Sequence, residues 1–240
     1  MIENKSADRA DTRSRLIVAL DTPTVAAARD LVGRLGSSVS FYKIGLELAM
    51  TGGGIELARE LAADGIQVFL DLKLLDIANT VERATANAAA IGVTFLTVHG
   101  TDTKTLAAAV KGRGDSRLRL LAVTVLTSLD AHDLAEQGIG RSPAQMVLHR
   151  AGLAQAAGFD GVIASGQEAS PLRQAIGKNF LVVTPGIRLA GGTAGDQARV
   201  TTPAQAIAGG ADYLVVGRPI TEAPDPRAAV ESIVEDMMSA

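Results

Sequence analysis

Three charged side chains stand at the end of a strongly apolar run, where isolated charges would be costly. Asp71, Lys73 and Asp76 follow Val68–Leu70, which is predicted to be a buried strand. Alternate residues of a strand point to one face, so Asp71 and Lys73 share a face at its carboxyl end. Asp76 lies beyond that alternation, just before a helix start. Buried charges must be paired, and the pattern therefore indicates either a catalytic charge network or a structural ion pair at a strand end.

Eight short runs rich in Val, Ile and Leu are predicted to be strands, each followed by an amphipathic stretch. The strands are Leu16–Leu20, Phe41–Ile44, Val68–Leu70, Phe95–Val98, Leu118–Val125, Gly161–Ala164, Phe180–Val183 and Tyr213–Val216. The helices are Thr24–Leu35, Ile55–Asp64, Val81–Ile91, Thr103–Lys111, Pro143–Ala157, Glu168–Ile176, Pro203–Ala208 and Pro226–Met238. This alternation predicts an α/β fold, a single-domain (β/α)₈ TIM barrel. A doubly wound open sheet is the alternative, although no Gly-x-Gly-x-x-Gly follows the first strand.

The composition limits the classes of protein that the chain can belong to. With 240 residues, of which 47% are hydrophobic, the chain can bury a large core. Its formal net charge of -3 gives no support to a nucleic-acid surface, and no apolar run is long enough to span a bilayer. The absence of cysteine excludes disulfides and cysteine metal sites and fits a cytoplasmic protein. Residues 1–14 are polar and are predicted to form a flexible N-terminal arm before a catalytic domain over residues 15–240.

In a (β/α)₈ barrel, the carboxyl ends of the strands meet at one mouth, which is where active sites lie. The residues predicted to stand there are Asp21, Lys43, Asp71, Lys73, His99, Thr127, Ser128, Arg188, Gly217 and Arg218. Charged residues seldom follow apolar strands without a reason. Their presence at the ends of several predicted strands therefore favours a functional site. Asp21, Lys43, Asp71, Lys73 and Asp76 sum to a formal charge of -1, so alternating pairs could keep all five ionised.

Gly217-Arg218-Pro219, after the eighth strand, indicates a phosphate site. The glycine allows a ligand to approach the backbone, the guanidinium can bind phosphate, and the proline suits the start of a short helix. A solvated turn is the alternative. The Gly-rich stretch from Arg188 to Gln197 could close over the phosphate as a lid, although a disordered loop has the same composition.

Other polar residues give weaker signals. His99 could be a hydrogen-bonded wall residue rather than a catalyst, and Thr127 with Ser128 could either contact a polar ring edge or cap a helix. His132 and His149 lack the spacing of metal ligands, so no metal site is assigned, although Asp and Glu could still hold Mg²⁺.

Seven motifs, in chain order from the first strand to the eighth, resemble those of a known family. They are Val18-Ala-Leu-Asp21, Tyr42-Lys43-Ile-Gly, Asp71-Leu-Lys73-Leu-Leu-Asp76-Ile-Ala-Asn-Thr80, Val123-Thr-Val-Leu-Thr127-Ser, Val183-Thr-Pro-Gly-Ile-Arg188, Ala194-Gly-Asp-Gln197 and Val216-Gly217-Arg218-Pro219. The ordered set resembles the orotidine 5'-phosphate decarboxylase family. The chain departs from it at Leu75 and Ala78, where the family often has His and Pro around the acidic residue. We expect altered loop packing there rather than lost chemistry.

The resemblance implies a homodimeric barrel that needs no cofactor and converts orotidine 5'-phosphate to UMP and carbon dioxide in de novo pyrimidine synthesis. It implies that Lys73 donates a proton to C6 of the pyrimidine, flanked by Asp71 and Lys43. It also implies that Asp76 and Thr80 complete the neighbouring subunit's site. The substrate-binding residues implied are Asp21, Lys43, Thr80, Thr127, Arg188, Gln197, Gly217 and Arg218.

Two other functions stay open. Metal-dependent keto-sugar-phosphate decarboxylases and synthases resemble the same barrel and share Asp-x-Lys-x-x-Asp, but they need Mg²⁺ and typically have an acidic residue where Lys43 stands. Lys43 therefore argues against them. A protein that binds a phosphate ligand without catalysis is the other alternative.

Overall fold

A closed barrel of parallel strands forms the centre of the structure, a computed structural model that describes residues 2–189 and 200–240. The strands are β1 (Leu16–Ala19), β2 (Phe41–Gly45), β3 (Gln67–Leu74), β4 (Phe95–His99), β5 (Arg119–Val123), β6 (Gly161–Ile163), β7 (Leu181–Thr184) and β8 (Tyr213–Val216). Each strand pairs with the next in the chain, and β8 closes the sheet against β1. The predicted (β/α)₈ TIM barrel is confirmed, and the open-sheet alternative is wrong.

Helices connect the strands around the outside of the barrel. They are α1 (Ile2–Ser14), α2 (Val25–Leu35), α3 (Leu46–Ala49), α4 (Gly54–Ala63), α5 (Ala78–Ile91), α6 (Thr103–Arg113), α7 (Ala131–Glu136), α8 (Pro143–Ala157), α9 (Gly166–Ile176), α10 (Pro203–Ala208), α11 (Arg218–Thr221) and α12 (Pro226–Met238). Local sequence sets several starts, as where Ser142 and Gln145 form a capping box before α8. Among the described residues, no helix combines the length and apolar character needed to cross a membrane.

Two apolar layers hold the barrel together. One lies between the strands and the surrounding helices, and the other fills the barrel interior. Within the interior, the Phe95 ring packs against Phe41, Phe69 and Tyr213 at centroid distances of 5.1, 5.9 and 5.2 Å. Phe41, Phe95 and Tyr213 are the first residues of their strands, and Phe69 is the third of β3, so the four rings form an apolar floor beneath the polar mouth.

The N-terminal segment forms a helix, which was not predicted from the sequence. Residues 1–14 are predicted to be a flexible arm, whereas the structure gives Ile2–Ser14 as the helix α1. Arg13 donates hydrogen bonds to the two carboxylate oxygens of Glu231 on α12, at 2.7 and 2.9 Å. The segment carries no apolar stripe, so hydrophobic periodicity could not reveal a helix that ion pairs attach to α12. Flexibility of its first residues stays a prediction.

Candidate active site

Strand β3 brings two charges to the mouth because it continues past its apolar run. The apolar pattern predicts that this strand ends at Leu70, whereas it ends at Leu74 in the structure. Pairing with β4 changes register between Leu70 and Leu74. Within that irregular stretch, Lys73 has a positive φ of 50°, a conformation that costs a residue with a side chain about 1–3 kcal/mol. Such backbone strain is often found at functional sites, so it supports a functional role for Lys73.

Four alternating charges run across the mouth from β1 to β3. The amine of Lys43 lies 2.8 Å from Asp21 Oδ1 and 3.7 Å from Asp71 Oδ2. The amine of Lys73 donates a hydrogen bond of 2.8 Å to the same Asp71 oxygen. The structure thus brings together four of the predicted residues. Their formal charges cancel, which offsets part of the cost of burying a charged group such as Lys43.

Asp71 is held on both of its oxygens. Oδ2 faces the two amines, and Oδ1 accepts a hydrogen bond of 2.9 Å from the Thr97 hydroxyl. Burial by itself would raise the pKa of Asp71, but the charges of Lys43 and Lys73, with hydrogen bonds from Lys73 and Thr97, lower it below the ordinary value of 3.8. The carboxylate is therefore ionised at neutral pH.

Thr97 belongs to this cluster, although it was not among the residues predicted from the sequence. Its hydroxyl oxygen accepts a hydrogen bond of 3.0 Å from the Lys73 backbone N–H, in addition to donating to Asp71. The residue is fully buried in β4. The sequence did contain a signal, because Thr97 is a polar residue that shares a strand face with Phe95 and His99.

A cavity of about 580 Å³ opens at this mouth. Small-molecule sites typically measure roughly 300–1,000 Å³, so the cavity can hold a nucleotide-sized ligand. The predicted site residues that line it are Asp21, Lys43, Asp71, Lys73, Thr127, Ser128, Arg188, Gly217 and Arg218. Glu47 and Glu222 also line it and were not predicted. Within residues 2–189 and 200–240, no three His, Asp or Glu side chains gather as ligands for a metal ion.

His99 ends β4 but is not one of the residues lining this cavity. Burial and the nearby charge of Arg150, followed by that of Lys73, lower the pKa of His99 below its ordinary 6.5. The imidazole is therefore neutral at neutral pH. A wall residue remains the simpler interpretation of His99.

Gly217 and Arg218 lie where β8 passes into α11. Pro219 occupies the first turn of this helix, which agrees with the predicted helix start. A Cβ atom added to Gly217 would lie 3.5 Å from Asp21 Oδ2 and 3.6 Å from Ala19 Cβ. The glycine therefore borders the end of the charge chain at ordinary contact distance and leaves its backbone open to the cavity.

The described residues on either side of positions 190–199 pair with each other. Ile187 forms a bridge with Thr201, and the Arg188 backbone N–H donates to the Thr201 carbonyl at 3.0 Å. The Arg188 guanidinium lines the cavity and donates to the Ile187 carbonyl at 2.8 Å. Gln197, predicted to contact phosphate, lies outside the described residues.

Asp76 and Thr80 are not brought into the cavity of their own chain. Both are exposed, Thr80 in the first turn of α5, and Asp76 Oδ1 accepts a hydrogen bond of 2.7 Å from the Ile77 backbone N–H. Leu75 and Ile77 beside them are 55% and 73% exposed, which is unusual for large apolar side chains.

Comparison with known proteins identifies the family. Residues 14–233 match the model of the Orotidine 5'-phosphate decarboxylase / HUMPS family. The chain belongs to this family. A relative from Rhodopseudomonas palustris named orotidine 5'-phosphate decarboxylase is 53% identical over 233 residues, which cover 97% of this chain and 98% of the relative. Another of that name, from a Bradyrhizobium species, is 55% identical over 228 residues, covering 95% and 93%.

Solved structures agree with the Orotidine 5'-phosphate decarboxylase / HUMPS assignment. A crystal structure of orotidine 5'-phosphate decarboxylase from Lactobacillus acidophilus superposes with a TM-score of 0.82 at 39% identity, covering 93% of this chain and 99% of that one. The family resemblance read from the motifs is confirmed. The departure at Leu75 and Ala78 is local, because both side chains are exposed and α5 begins directly at Ala78.

Proposed function

We propose that the chain catalyses the decarboxylation of orotidine 5'-phosphate to UMP and carbon dioxide, in de novo pyrimidine synthesis, without a cofactor. The observation that carries this proposal is the alternating charge chain from Asp21 to Lys73, which places an amine in a cavity that Arg218 also lines. Membership of the family and the names of the relatives support it. The proposal includes a cytoplasmic location, since a charged nucleotide does not cross a bilayer unaided.

The chemistry explains why a fixed cation is needed. The bond between C6 of the pyrimidine and its carboxylate carbon breaks, carbon dioxide leaves, and the electron pair stays on C6. That pair lies in an orbital perpendicular to the ring π system, so the ring cannot delocalise it. The Lys73 ammonium stabilises the developing carbanion and then transfers a proton to C6, and solvent returns a proton to the amine. Among the effects by which enzymes accelerate reactions, preorganised charge of this kind usually contributes most.

Asp71 and Lys43 set the position and charge of Lys73. The carboxylate of Asp71 pairs with the Lys73 amine at 2.8 Å and aims it. Placed beside the substrate carboxylate, Asp71 also repels the ground state. Lys43 and Asp21 hold the ribose hydroxyls, and Thr127 lies against the base.

The phosphate lies at the other end of the cavity in this proposal. Arg188, Gln197, Gly217 and Arg218 bind it. Interactions with a remote group can lower the barrier at the reacting carbon when they help to assemble the site. Enzymes reduce barriers by about 8–23 kcal/mol, and a reaction without cofactor help needs the upper part of that range.

Asp76 and Thr80 act, in this proposal, in the site of a second copy of the chain. Their exposure outside their own cavity leaves them available to a neighbour. Leu75 and Ile77 flank Asp76, and Leu46 and Met50 in the segment after β2 are 52% and 81% exposed. Because β2 and β3 are adjacent strands, the segments that follow them leave the barrel side by side, and we infer that their exposed apolar side chains contribute to one surface suited to a partner. A homodimer would cover it.

The metal-dependent alternative is disfavoured by Lys43. A divalent cation at this mouth would be repelled by an ammonium that already pairs with Asp21 at 2.8 Å. The decisive measurement is the loss of orotidine 5'-phosphate absorbance with EDTA present. We expect undiminished turnover, whereas activity that needs added Mg²⁺ would show that the metal-dependent assignment is correct.

Replacement of Lys73 separates catalysis from binding. Lys73→Ala should retain UMP binding while UMP formation is lost, because the phosphate contacts remain and the proton donor is gone. Lys178→Ala is the matched control, since Lys178 is exposed in the segment before β7, at the opposite end of the barrel. Undiminished turnover in Lys73→Ala would refute the role of Lys73. A wild-type chain that binds UMP without decarboxylating the substrate would be a binding protein.

A further inference from the structure

The two ends of the central ion pair are joined by one hydroxyl group, that of Thr97. Its oxygen accepts from the Lys73 backbone N–H at 3.0 Å and donates to Asp71 Oδ1 at 2.9 Å. We propose that Thr97 is a positioning residue for the decarboxylation, which fixes the Lys73 backbone and the Asp71 carboxylate relative to each other. This inference rests on the proposed function and adds to it a residue that does not contact the reacting atoms.

The hydroxyl suits this double role. A hydroxyl has one proton to donate and two lone pairs to accept with, so both bonds can form at once. Thr97 is 0% exposed, so bulk water does not compete for either bond. The proton goes to Asp71 and fixes the rotation of its carboxylate, which leaves Oδ2 for the two amines.

The backbone at Lys73 needs such a partner. Leu70 pairs with Leu96 and Leu74 with Val98, so β3 advances four residues where β4 advances two. The regular ladder of backbone hydrogen bonds cannot continue through this mismatch, and Thr97 is the β4 residue opposite it. Its side chain supplies the acceptor for the Lys73 N–H. The positive φ of 50° at Lys73 is therefore held by a side-chain bond within the strand pair.

The orientation of the Asp71 carboxylate determines how the groups around it are paired. The carboxylate is faced by Lys43 from β2, Lys73 from β3 and His99 from β4. Without the Thr97 bond, the carboxylate can rotate and share both oxygens between the amines. The Lys73 amine would then be less well aimed at C6.

Three variants test the inference. Thr97→Val keeps the shape and removes the hydroxyl, while Thr97→Ser keeps the hydroxyl. Thr184→Val is the matched control, because Thr184 is equally buried, ends β7, and has an Oγ without a hydrogen-bond partner among the described residues. We expect Thr97→Val to lower kcat on the order of 10- to 100-fold with KM changed less than about threefold. Thr97→Ser should restore most of the turnover, and Thr184→Val should match the wild type.

The pH profile separates positioning from general stability. Loss of the Thr97 bond raises the pKa of Asp71, so the acid limb of kcat should move to higher pH in Thr97→Val and not in Thr97→Ser or Thr184→Val. Turnover of Thr97→Val within twofold of the wild type, or equal loss in Thr97→Ser, would overturn the inference. Crystal structures of wild type and Thr97→Val provide a second readout, through φ of Lys73 and its distance to Asp71. If the wild type itself does not decarboxylate the substrate, the proposed function fails, and this structural readout still decides whether Thr97 holds the pair.

Discussion

The Lys73 amine lies 2.8 Å from Oδ2 of Asp71, two residues before it on the same strand, while Lys43 approaches that oxygen to only 3.7 Å. Asp71 therefore serves as the direct counter-ion of Lys73 and as a more distant one for Lys43, which pairs with Asp21 at 2.8 Å. Because Asp71 lies closer to Lys73 than to Lys43, Lys73 is the last cation in the row of alternating charges. A terminal cation can turn toward a substrate carbon without leaving another charge unpaired.

Asp71 should stay ionised at neutral and mildly acidic pH and take up a proton only below the ordinary value of 3.8. Its pKa is lowered by neighbouring amines despite burial, so its contribution to stability is present above the ordinary value of 3.8 and is lost only as pH falls through the lower folded value. The ¹³C chemical shift of the Asp71 carboxyl carbon should show a titration midpoint below 3.8 in the wild type.

Lys73→Met should raise that midpoint, because one of the two cations that lower it is removed. Lys178→Met provides the comparison and should leave it unchanged. A wild-type midpoint above the ordinary value would mean that burial outweighs the two amines, and the charge chain could not act as described.

Gly45 is expected to be intolerant of a side chain for a functional reason. An added Cβ would lie 2.8 Å from the Lys43 amine and 3.3 Å from Asp21 Oδ1. The end of a flexible lysine can move, so Gly45→Ala should fold, but the ribose-binding pair would be displaced. Activity assays should show a raised KM and lower kcat/KM with little loss of thermal stability.

Gly33→Ala is the matched control for this change. Gly33 is exposed within α2, and a Cβ added there would meet no heavy atom within 4 Å among the described residues, apart from its chain neighbours and the backbone of its own helix. Replacing a helical glycine by alanine should stabilise the protein by roughly 0.5–1 kcal/mol and leave activity unaltered. If Gly45→Ala kept wild-type kcat/KM, the Asp21–Lys43 pair would not be needed in its observed geometry.

The contribution of Arg218 to activity should depend on whether the substrate carries a phosphate group. Arg218→Ala removes a charge-assisted contact and should lower kcat/KM for orotidine 5'-phosphate on the order of 100-fold or more. Activity toward orotidine, which lacks the phosphate, should change far less. Arg117→Ala, an exposed arginine just before β5 at the opposite end of the barrel, should change neither. Equal losses for the two substrates would place Arg218 away from the phosphate.

The alternation of apolar runs was sufficient to predict the barrel, because parallel strands buried on both faces form continuous hydrophobic runs. β3 is instructive about the limits of this rule. Its predicted end at Leu70 is where the apolar run stops, yet the strand continues to Leu74, and Asp71 in this continuation pairs with Lys43 of β2 as well as with Lys73. Charge pairing across strands is a tertiary effect that a local pattern does not show.

The charged residues of the site were predictable because they stand at the ends of apolar strands, where charges are conspicuous. Charged residues at strand ends, such as Asp21 and Lys43, contrast with the apolar residues before them. Thr97 was missed because a threonine within a strand is ordinary, and its role depends on a register mismatch that only coordinates reveal. The helix α1 was missed since its attachment to α12 is by ion pairs rather than by an apolar stripe.

Mixing two inactive variants should regenerate activity if Asp76 completes the site of a neighbouring subunit. Asp76→Ala and Lys73→Ala should each be nearly inactive alone, because every site lacks one of the two residues. In a mixed dimer, one site carries both changes and the other carries neither. Random exchange in equal amounts makes half of the dimers mixed, so activity should recover to about one quarter of wild type. Ile77→Asp in both chains should prevent recovery, since a charge in the exposed apolar surface opposes association. Native mass spectrometry of the same samples would separate the mixed dimer from the two homodimers by mass, and absence of recovery despite mixed dimers would place Asp76 outside the partner's site.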